Sequence, residues 1–174
     1  TSVLSDNFDE AKFYGNKHNI KFIYSKTKKN LNKILNDKNI NSIYIATPPN
    51  SHFFYINFFC KKKINIVCEK PLVISNTEIK KLKNLTKKYK FNLFTCFYRR
   101  HLERFLYVKK ILEKKYIGKI IYFDIKFFHN HKNHPTHNII KGKPLPWRFV
   151  KKISGGGNIV DMGVHALDLI EFMI

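Results

Sequence analysis

The chain has 174 residues and is 44% hydrophobic, so it can bury the core of one domain, or of one domain and part of a second. Its formal net charge is +21, but only four of its 33 basic residues are arginine, the residue preferred for contacts with phosphates and base edges. We therefore expect a lysine-biased composition and no nucleic-acid partner. No apolar run reaches the ~20 residues that cross a membrane. No signal segment opens the chain, so we expect a cytoplasmic protein without membrane contact.

The two ends of the chain and its cysteines set further expectations. The chain begins in an apolar strand pattern without methionine and stops in an apolar helical pattern, so we expect an interior piece of a longer protein. The three cysteines lie in apolar settings without C-x-x-C spacing, which favours buried, reduced thiols over a disulfide or a zinc site.

The first predicted strand, over 2–5, is followed directly by Asp6. A carboxylate at the end of such a strand can accept hydrogen bonds from the ribose hydroxyls of a dinucleotide. Asp also favours the N-cap of a helix, and a short helix is predicted to end near Gly15. Both interpretations of Asp6 stay open at this point.

The strand predicted over 41–46 ends in Thr47, Pro48, Pro49, Asn50, Ser51 and His52. The prolines stop the strand, and Asn50 or Ser51 can cap the next helix. The start of that helix offers free N–H groups to an anion or polar ligand. His52 is expected on the surface of the first turn, and its alternative is a ligand contact.

The next short apolar run ends in Glu69, Lys70 and Pro71, with Pro71 fixing the exit and compatible with a cis turn. The carboxyl ends of strands in open α/β sheets are where ligands bind. Lys70 is therefore a candidate acid or electrostatic clamp. The alternative is a solvated Glu–Lys pair before a turn.

The remaining strand and helix patterns decide the fold class. Ser75 and Glu78 form a capping box that starts a helix, and a further strand over 92–97 leads into Arg99 and Arg100. Strands thus alternate with helices three times, which predicts an α/β fold with a parallel, doubly wound sheet.

The pattern changes after this strand. Another helix is predicted to end at Gly118, and residues 119–128 alternate like a longer strand of a second, sheet-containing domain. Four histidines follow, His129, His131, His134 and His137. They bring no carboxylate or thiolate, so we expect a polar loop of the cleft and no metal.

The last segment passes from glycines at 155–157 into a helix that carries Asp161, His165 and Asp168 on one face, among apolar neighbours that we expect to be buried. A polar stripe on such a helix must be satisfied internally or by a ligand. One hypothesis has His165 taking or giving a proton, with Asp161 orienting it or binding a substrate hydroxyl. The other is a structural His–Asp pair.

Four motifs, in their order and spacing, resemble those of the glucose–fructose oxidoreductase / inositol dehydrogenase / rhizopine-catabolism family. They are Ala46-Thr47-Pro48, Glu69-Lys70-Pro71, Tyr98-Arg99-Arg100 and Gly155-Gly156-Gly157-x-x-x-Asp161-x-Gly163-x-His165-x-x-Asp168. The resemblance covers nearly the whole chain. It implies a dinucleotide-binding (Rossmann) domain over 1–98 and, over 99–174, the start of an α+β substrate domain with an open sheet. It also implies a homo-oligomer, a dimer or tetramer.

The resemblance implies an NAD(P)-dependent oxidoreductase that moves a hydride between nicotinamide and a carbon of a sugar, cyclitol or related compound. Lys70, Asp161 and His165 match its catalytic positions, with Asp161 and His165 also at the substrate. The implied cofactor contacts are Asp6, Thr47, Pro48, Asn50, His52, Glu69 and Lys70, and Arg99 and Trp147 complete the substrate contacts. A carboxylate at Asp6 favours NAD, with NADP possible.

Two departures from the family pattern lead to an alternative function. The Gly-x-Gly-x-x-Gly loop with its strand, and most of the second sheet, have no counterpart in this sequence. The pyrophosphate would then lack its backbone cradle. The alternative is a truncated or degenerate relative that acts as a binding or interaction module.

Overall fold

The computed structural model describes residues 1–128, 142 and 144–174. The strands are short and parallel; they are β1 Ser2–Ser5, β2 Phe22–Ser25, β3 Ser42–Ile45, β4 Asn65–Cys68 and β5 Leu93–Thr95. The α-helices are α1 Phe8–Lys17, α2 Lys28–Asn36, α3 Pro49–Phe59, α4 Asn76–Tyr89, α5 Glu103–Glu113, α6 Lys151–Ser154 and α7 Val164–Met173. A π-helical turn, Ile159–Gly163, precedes α7.

The strands form two parallel groups, β1 with β2 and β3–β4–β5 with β4 at the centre. Helices connect successive strands within and between these groups, so the predicted α/β class with parallel strands is confirmed. In the three-stranded sheet Ile45 pairs with Cys68, and Cys68 pairs with Thr95. The three strands therefore end side by side, and the residues that follow them meet at one edge.

The core lies between α3, the sheet and α4. Ile56 of α3 and Ile66 of β4 are fully buried, together with Cys60 and Cys68. Burying an aliphatic side chain of this size contributes about 1.5–3 kcal/mol, which holds α3 against the sheet. The three cysteines are free thiols, two of them buried and Cys96 half-buried. Burial raises the pKa of the Cys68 thiol to about 12, so it is an unreactive core residue.

The helix caps differ from the predictions at two places. Asn7, not Asp6, caps α1, because its side chain accepts the backbone N–H of Glu10. Pro48 occupies the N-cap of α3, so neither Asn50 nor Ser51 caps that helix. The predicted cap at Ser75 is present and accepts from Glu78 N at 3.2 Å, although Glu78 itself accepts from Ile74 rather than from Ser75.

Two expectations for the second half are wrong. Residues 119–128 form no strand, because none of the described strands lies beside them to supply backbone hydrogen bonds. Ile121 of this segment is 95% exposed. The segment around α7 is not buried all round, because Ile159 and Leu167 face outward and are mostly exposed. The tract with His129, His131, His134 and His137 lies outside the described residues.

A search of the described residues finds no helix long and apolar enough to cross a membrane. In the same part of the chain, no cluster of histidine, cysteine and acidic side chains could hold a metal ion.

Candidate active site

The loops that follow β3 and β4 meet the π-helical turn at the carboxyl edge of the sheet, and the loop after β5 contacts α7. Thr47, Lys70 and Asp161 line one cleft there, together with Ala46, Pro49, Glu69, Pro71, Trp147, Arg148 and Ser154. The cleft encloses about 140 Å³. Ligand pockets commonly span ~300–1,000 Å³, so this cleft has room for a part of a ligand of cofactor size.

Lys70 and Asp161 form the centre of the cleft. The Lys70 amine donates to the Asp161 carbonyl oxygen at 2.8 Å and to its carboxylate oxygen Oδ1 at 2.5 Å. Both side chains are largely withdrawn from solvent. The alternative of a solvated Glu69–Lys70 pair is therefore wrong, because each of these residues is held by a different partner. The Lys70–Pro71 peptide is cis, the geometry with which the sequence was compatible.

Glu69 is directed to the neighbouring strand. The Tyr44 hydroxyl donates to its carboxylate, and this hydrogen bond is the main reason that the pKa of Tyr44 is raised. Glu69 also lines the cleft, one residue from Lys70.

His165 lies near this pair in an apolar setting. Its side chain is 3% exposed, and its ring meets the rings of Phe97 and Tyr98 edge-to-face, with centroids 6.1 and 5.6 Å away. Burial lowers its pKa to about 4, with further lowering by the charges of Lys70 and Arg99. His165 is therefore a neutral imidazole at neutral pH, able to accept a proton.

Asp168 pairs with an arginine. Its carboxylate accepts from Arg100 Nε at 2.9 Å through each oxygen, and from Nη2 at 2.6 Å. The Asp161 carboxylate accepts from the Lys70 amine, and the charges of Asp161 and Asp168 both act on His165. Asp168 is thus bound to Arg100, and the orientation of His165 by Asp161 stays a prediction.

The prediction that His52 lies on the surface of the first turn of α3 is wrong. This residue is fully buried instead of lying on the surface. Its Nε2 atom is 2.7 Å from the Thr47 carbonyl oxygen, and its Nδ1 atom is 2.9 Å from the Pro71 carbonyl oxygen. Each ring nitrogen faces a backbone carbonyl oxygen rather than the cleft, so a direct ligand contact by His52 is not supported.

The start of α3 lies beside the cleft, which Thr47 and Pro49 line. Pro48 and Pro49 carry no backbone N–H, and the Ser51 N–H already donates to the Pro48 carbonyl oxygen at 3.0 Å. The predicted set of free N–H groups at this helix start is therefore not supported. Ser51 donates to Thr47 Oγ1 at 2.6 Å and holds that side chain in place. Asn50 is exposed at the same helix start but does not line the cleft.

Asp6 lies after β1 in an exposed position, and Lys26 approaches its carboxylate to 3.1 Å. Because Asn7 is the helix cap, the capping interpretation of Asp6 is removed. Its carboxylate oxygens remain accessible to a ribose.

Aromatic and arginine side chains surround the second half of the cleft. Trp147 lines it, with the Arg148 guanidinium stacked 4.3 Å from the indole. Arg99 does not line the cleft, but its charge acts on His165 and its guanidinium lies over the rings of Tyr98 and Phe127. Its buried Nε atom finds no hydrogen-bond acceptor within the described ranges.

Sequence patterns missed four residues of this site. Ser154 and Arg148 line the cleft, Tyr44 holds Glu69, and Arg100 holds Asp168. Arg148 directly follows the predicted substrate residue Trp147, and arginine is scarce in this chain, which was a usable signal. No comparable signal marks Tyr44, since its role depends on the pairing of β3 with β4.

Comparisons with known proteins agree with this geometry. Residues 1–97 match the family model GFO_IDH_MocA, described as an oxidoreductase family with an NAD-binding Rossmann fold. Residues 105–174 match the GFO/IDH/MocA C-terminal domain.

Individual relatives are similar over most of this chain. An oxidoreductase of Formosa agariphila is 30% identical over 97% of the chain and 50% of its own length. The levoglucosan dehydrogenase of Pseudarthrobacter phenanthrenivorans is 28% identical over 81% of the chain and 35% of its own length. A structure of levoglucosan dehydrogenase with NADH and levoglucosan shares the fold, with a TM-score of 0.77 at 24% identity, over 100% of this chain and 44% of that one. The chain thus spans about a third to a half of the length of these relatives.

One assignment follows from the family model, which matches more than half of the residues. The parallel strands and the Lys70–Asp161 pair beside a neutral His165 agree with it. The chain belongs to the GFO/IDH/MocA family of oxidoreductases, which is described by its NAD-binding Rossmann fold.

Proposed function

We propose that the whole protein is an NAD(P)-dependent dehydrogenase or reductase that acts on a hydroxyl or keto carbon of a sugar, cyclitol or related compound. The single observation that carries the proposal is the placement of Lys70, Asp161 and His165. A primary amine, a carboxylate and a neutral imidazole from distant parts of the chain lie together at the carboxyl edge of a parallel sheet.

His165 is the proton acceptor when a hydroxyl is oxidised. Its lowered pKa keeps the imidazole unprotonated at neutral pH, so it can take the hydroxyl proton as the hydride leaves the same carbon. In the reverse direction the protonated ring returns that proton to the carbonyl oxygen. The bound nicotinamide supplies the acceptor or donor of the hydride.

Lys70 stabilises the developing negative charge on the substrate oxygen. The Asp161 carboxylate and carbonyl hold the amine in a fixed direction, which reduces the reorganisation needed during the reaction. We assign Trp147 to the substrate side because its indole lies on the cleft wall, where it suits a hydroxyl-rich ring, and Arg99 on the family resemblance.

On the cofactor side, Thr47, Pro48 and Glu69 would contact the nicotinamide half and Asp6 the adenosine ribose. The exposed carboxylate of Asp6 disfavours a 2′-phosphate, so we propose NAD as the preferred cofactor. We further propose a nucleotide-binding unit over 1–98, a substrate unit from residue 99, and a cytoplasmic homo-oligomer. The oligomer rests on the family resemblance.

The names of relatives support the substrate class. The similar proteins include a levoglucosan dehydrogenase and the myo-inositol 2-dehydrogenase of Thermotoga maritima, which is 26% identical over 86% of this chain and 40% of its own length. One compound is an anhydrosugar and the other a cyclitol, so a ring bearing several hydroxyl groups is the shared feature.

Titration of the whole protein with NADH and NADPH, followed by cofactor fluorescence, tests the cofactor part of the proposal. We expect saturable binding with preference for NADH, and this result justifies a turnover screen over sugars and cyclitols. A folded whole protein that binds neither cofactor would instead favour the non-catalytic relative.

A further inference from the structure

His52 occupies a position between the two loops that carry the site residues. One loop, after β3, contains Thr47, and the other, after β4, contains Lys70. The His52 ring lies between the carbonyl oxygens of Thr47 and Pro71, at 2.7 and 2.9 Å, and its side chain has no exposed surface. Its contacts therefore connect the cofactor side of the cleft to the loop of the catalytic lysine.

We infer that His52 is a positioning residue that sets the location of the Lys70 amine by tying the Thr47 loop to the Lys70 loop. The inference rests on the proposed dehydrogenase function for its kinetic consequences, but the position of Lys70 can be measured without turnover.

Histidine suits this position because its two nitrogens lie on different sides of one rigid ring. A neutral imidazole carries one N–H and can donate to one of the two carbonyls at a time, whereas the protonated ring can donate to both. The His52 ring itself is fully buried, so a donor that it directs at either carbonyl oxygen is shielded from competition with water. Phenylalanine would fill the same space without any donor, and glutamine offers two N–H groups on a single nitrogen.

The location of Lys70 depends on few other attachments. Its amine reaches Asp161 on the π-helical turn, and the neighbouring Glu69 is held by Tyr44. Pro71, the residue after Lys70, is the point at which His52 holds the loop. Loss of this contact should let the amine move while leaving the sheet and its pairing intact.

The neighbouring His165 reports the position of Lys70. The charged groups acting on His165 are Lys70 and Arg99, which lower its pKa, and Asp161 and Asp168, which raise it. A displaced Lys70 amine would lower the pKa of His165 less, so the midpoint of the His165 titration would rise. A contribution of His52 to stability alone would leave that midpoint unchanged.

The test compares the whole wild-type protein with His52→Phe, His52→Gln and the control His18→Phe, in which an exposed histidine at the end of α1 is replaced. NMR of ¹³C-labelled histidine gives the titration midpoint of His165, assigned with a His165→Gln sample. We expect the wild-type and control midpoints to agree, and the midpoint in His52→Phe to be higher by about half a pH unit or more. His52→Gln should lie between them.

Kinetics provide the second readout. A small displacement of a catalytic group can cost about tenfold to a hundredfold in rate, so kcat of His52→Phe should fall by that much while KM for the sugar changes less than about threefold. Absence of turnover in the wild type would count against the proposed function and leave the NMR result standing. Either His52 variant, folded and equal to the wild type in both readouts, would overturn the inference.

Discussion

The guanidinium of Arg100 holds the carboxylate of Asp168 through three hydrogen bonds of 2.6–2.9 Å, across 68 residues of sequence. Arg100 lies just beyond β5, and Asp168 lies one turn after His165 on α7. The pair therefore ties the helix of the proposed catalytic base to the carboxyl edge of the sheet. Asp168 is 5% exposed, so its charge depends on this partner.

Replacing Arg100 should destabilise the fold. In Arg100→Met the Asp168 carboxylate stays buried without a partner, and since the arginine is partly exposed we expect a loss of about 2–4 kcal/mol in the free energy of unfolding. Arg104→Met, at an exposed position of α5, should change it by less than about 0.5 kcal/mol. Urea denaturation of the whole protein measures both. Equal stability of the two variants would contradict the structural role of the pair.

The low pKa of His165 predicts the pH dependence of activity. A base acts in its unprotonated form, so kcat/KM for hydroxyl oxidation should persist below the ordinary value of 6.5 and fall only near pH 4. A rate profile with its acidic limb near 6.5 would show that the histidine is not held in this environment.

The same shift contributes to stability in a defined direction. The pKa of His165 is lower in the folded state than the unperturbed 6.5, so the unfolded chain binds the extra proton between about pH 6.5 and 4. The contribution is fully present above about 6.5 and is lost as the pH falls toward 4. His165→Gln should therefore flatten the pH dependence of unfolding in this interval, which urea denaturation at several pH values can detect. An unchanged dependence would contradict the shift.

The fold and the centre of the site were predictable from local patterns. Short apolar runs ending shortly before Thr47 and Lys70 identified parallel strands, and parallel strands place their carboxyl ends together. The partners of the charged residues were not predictable in this way. Asp161 pairs with Lys70 across 91 residues of sequence, and Asp168 pairs with Arg100 across 68 residues. The periodicity of a local segment carries no information about contacts at such separations.

Two errors have the same physical origin, because burial depends on what packs against a segment. His52 follows two prolines at a helix start, a position typical of surface residues, yet the loop of Pro71 covers it. The alternation over 119–128 predicted a strand, but strand formation needs a neighbour, and no described strand supplies one.

Asp6 should determine the choice between the two cofactors. Asp6→Asn removes a charged acceptor for the ribose hydroxyls, so we expect the Kd for NADH to rise roughly tenfold, with weaker discrimination against NADPH. Asp9→Asn, in the exposed first turn of α1, is the matched control and should leave both constants unchanged. Cofactor fluorescence titration of the whole protein measures them. An unaltered preference in Asp6→Asn would remove Asp6 from the site.

Gly155 should be irreplaceable for a steric reason. Its φ angle is +86°, and a Cβ atom there would lie 2.8 Å from Ile74 Cγ2. At Gly118 φ is +72°, but no atom lies within 4 Å of the added Cβ.

The two glycines form a matched pair for measurement. Gly118→Ala should cost about 1 kcal/mol of stability from backbone strain alone. Gly155→Ala adds a steric clash, for a total of about 2–4 kcal/mol. Urea denaturation separates the two costs. A Gly155→Ala variant no less stable than Gly118→Ala would mean that the turn before the Asp161 segment is not packed against Ile74 as described.

The most direct measurement of the central claim is NADH formation by the whole protein, supplied with NAD and a panel of sugars and cyclitols. It should be run in parallel on the wild type, Lys70→Met and Lys80→Met, an exposed lysine of α4. We predict turnover of at least one compound by the wild type and by Lys80→Met, and a loss of at least about a hundredfold in kcat for Lys70→Met. Undiminished turnover by a folded Lys70→Met protein would contradict the assignment of the active site.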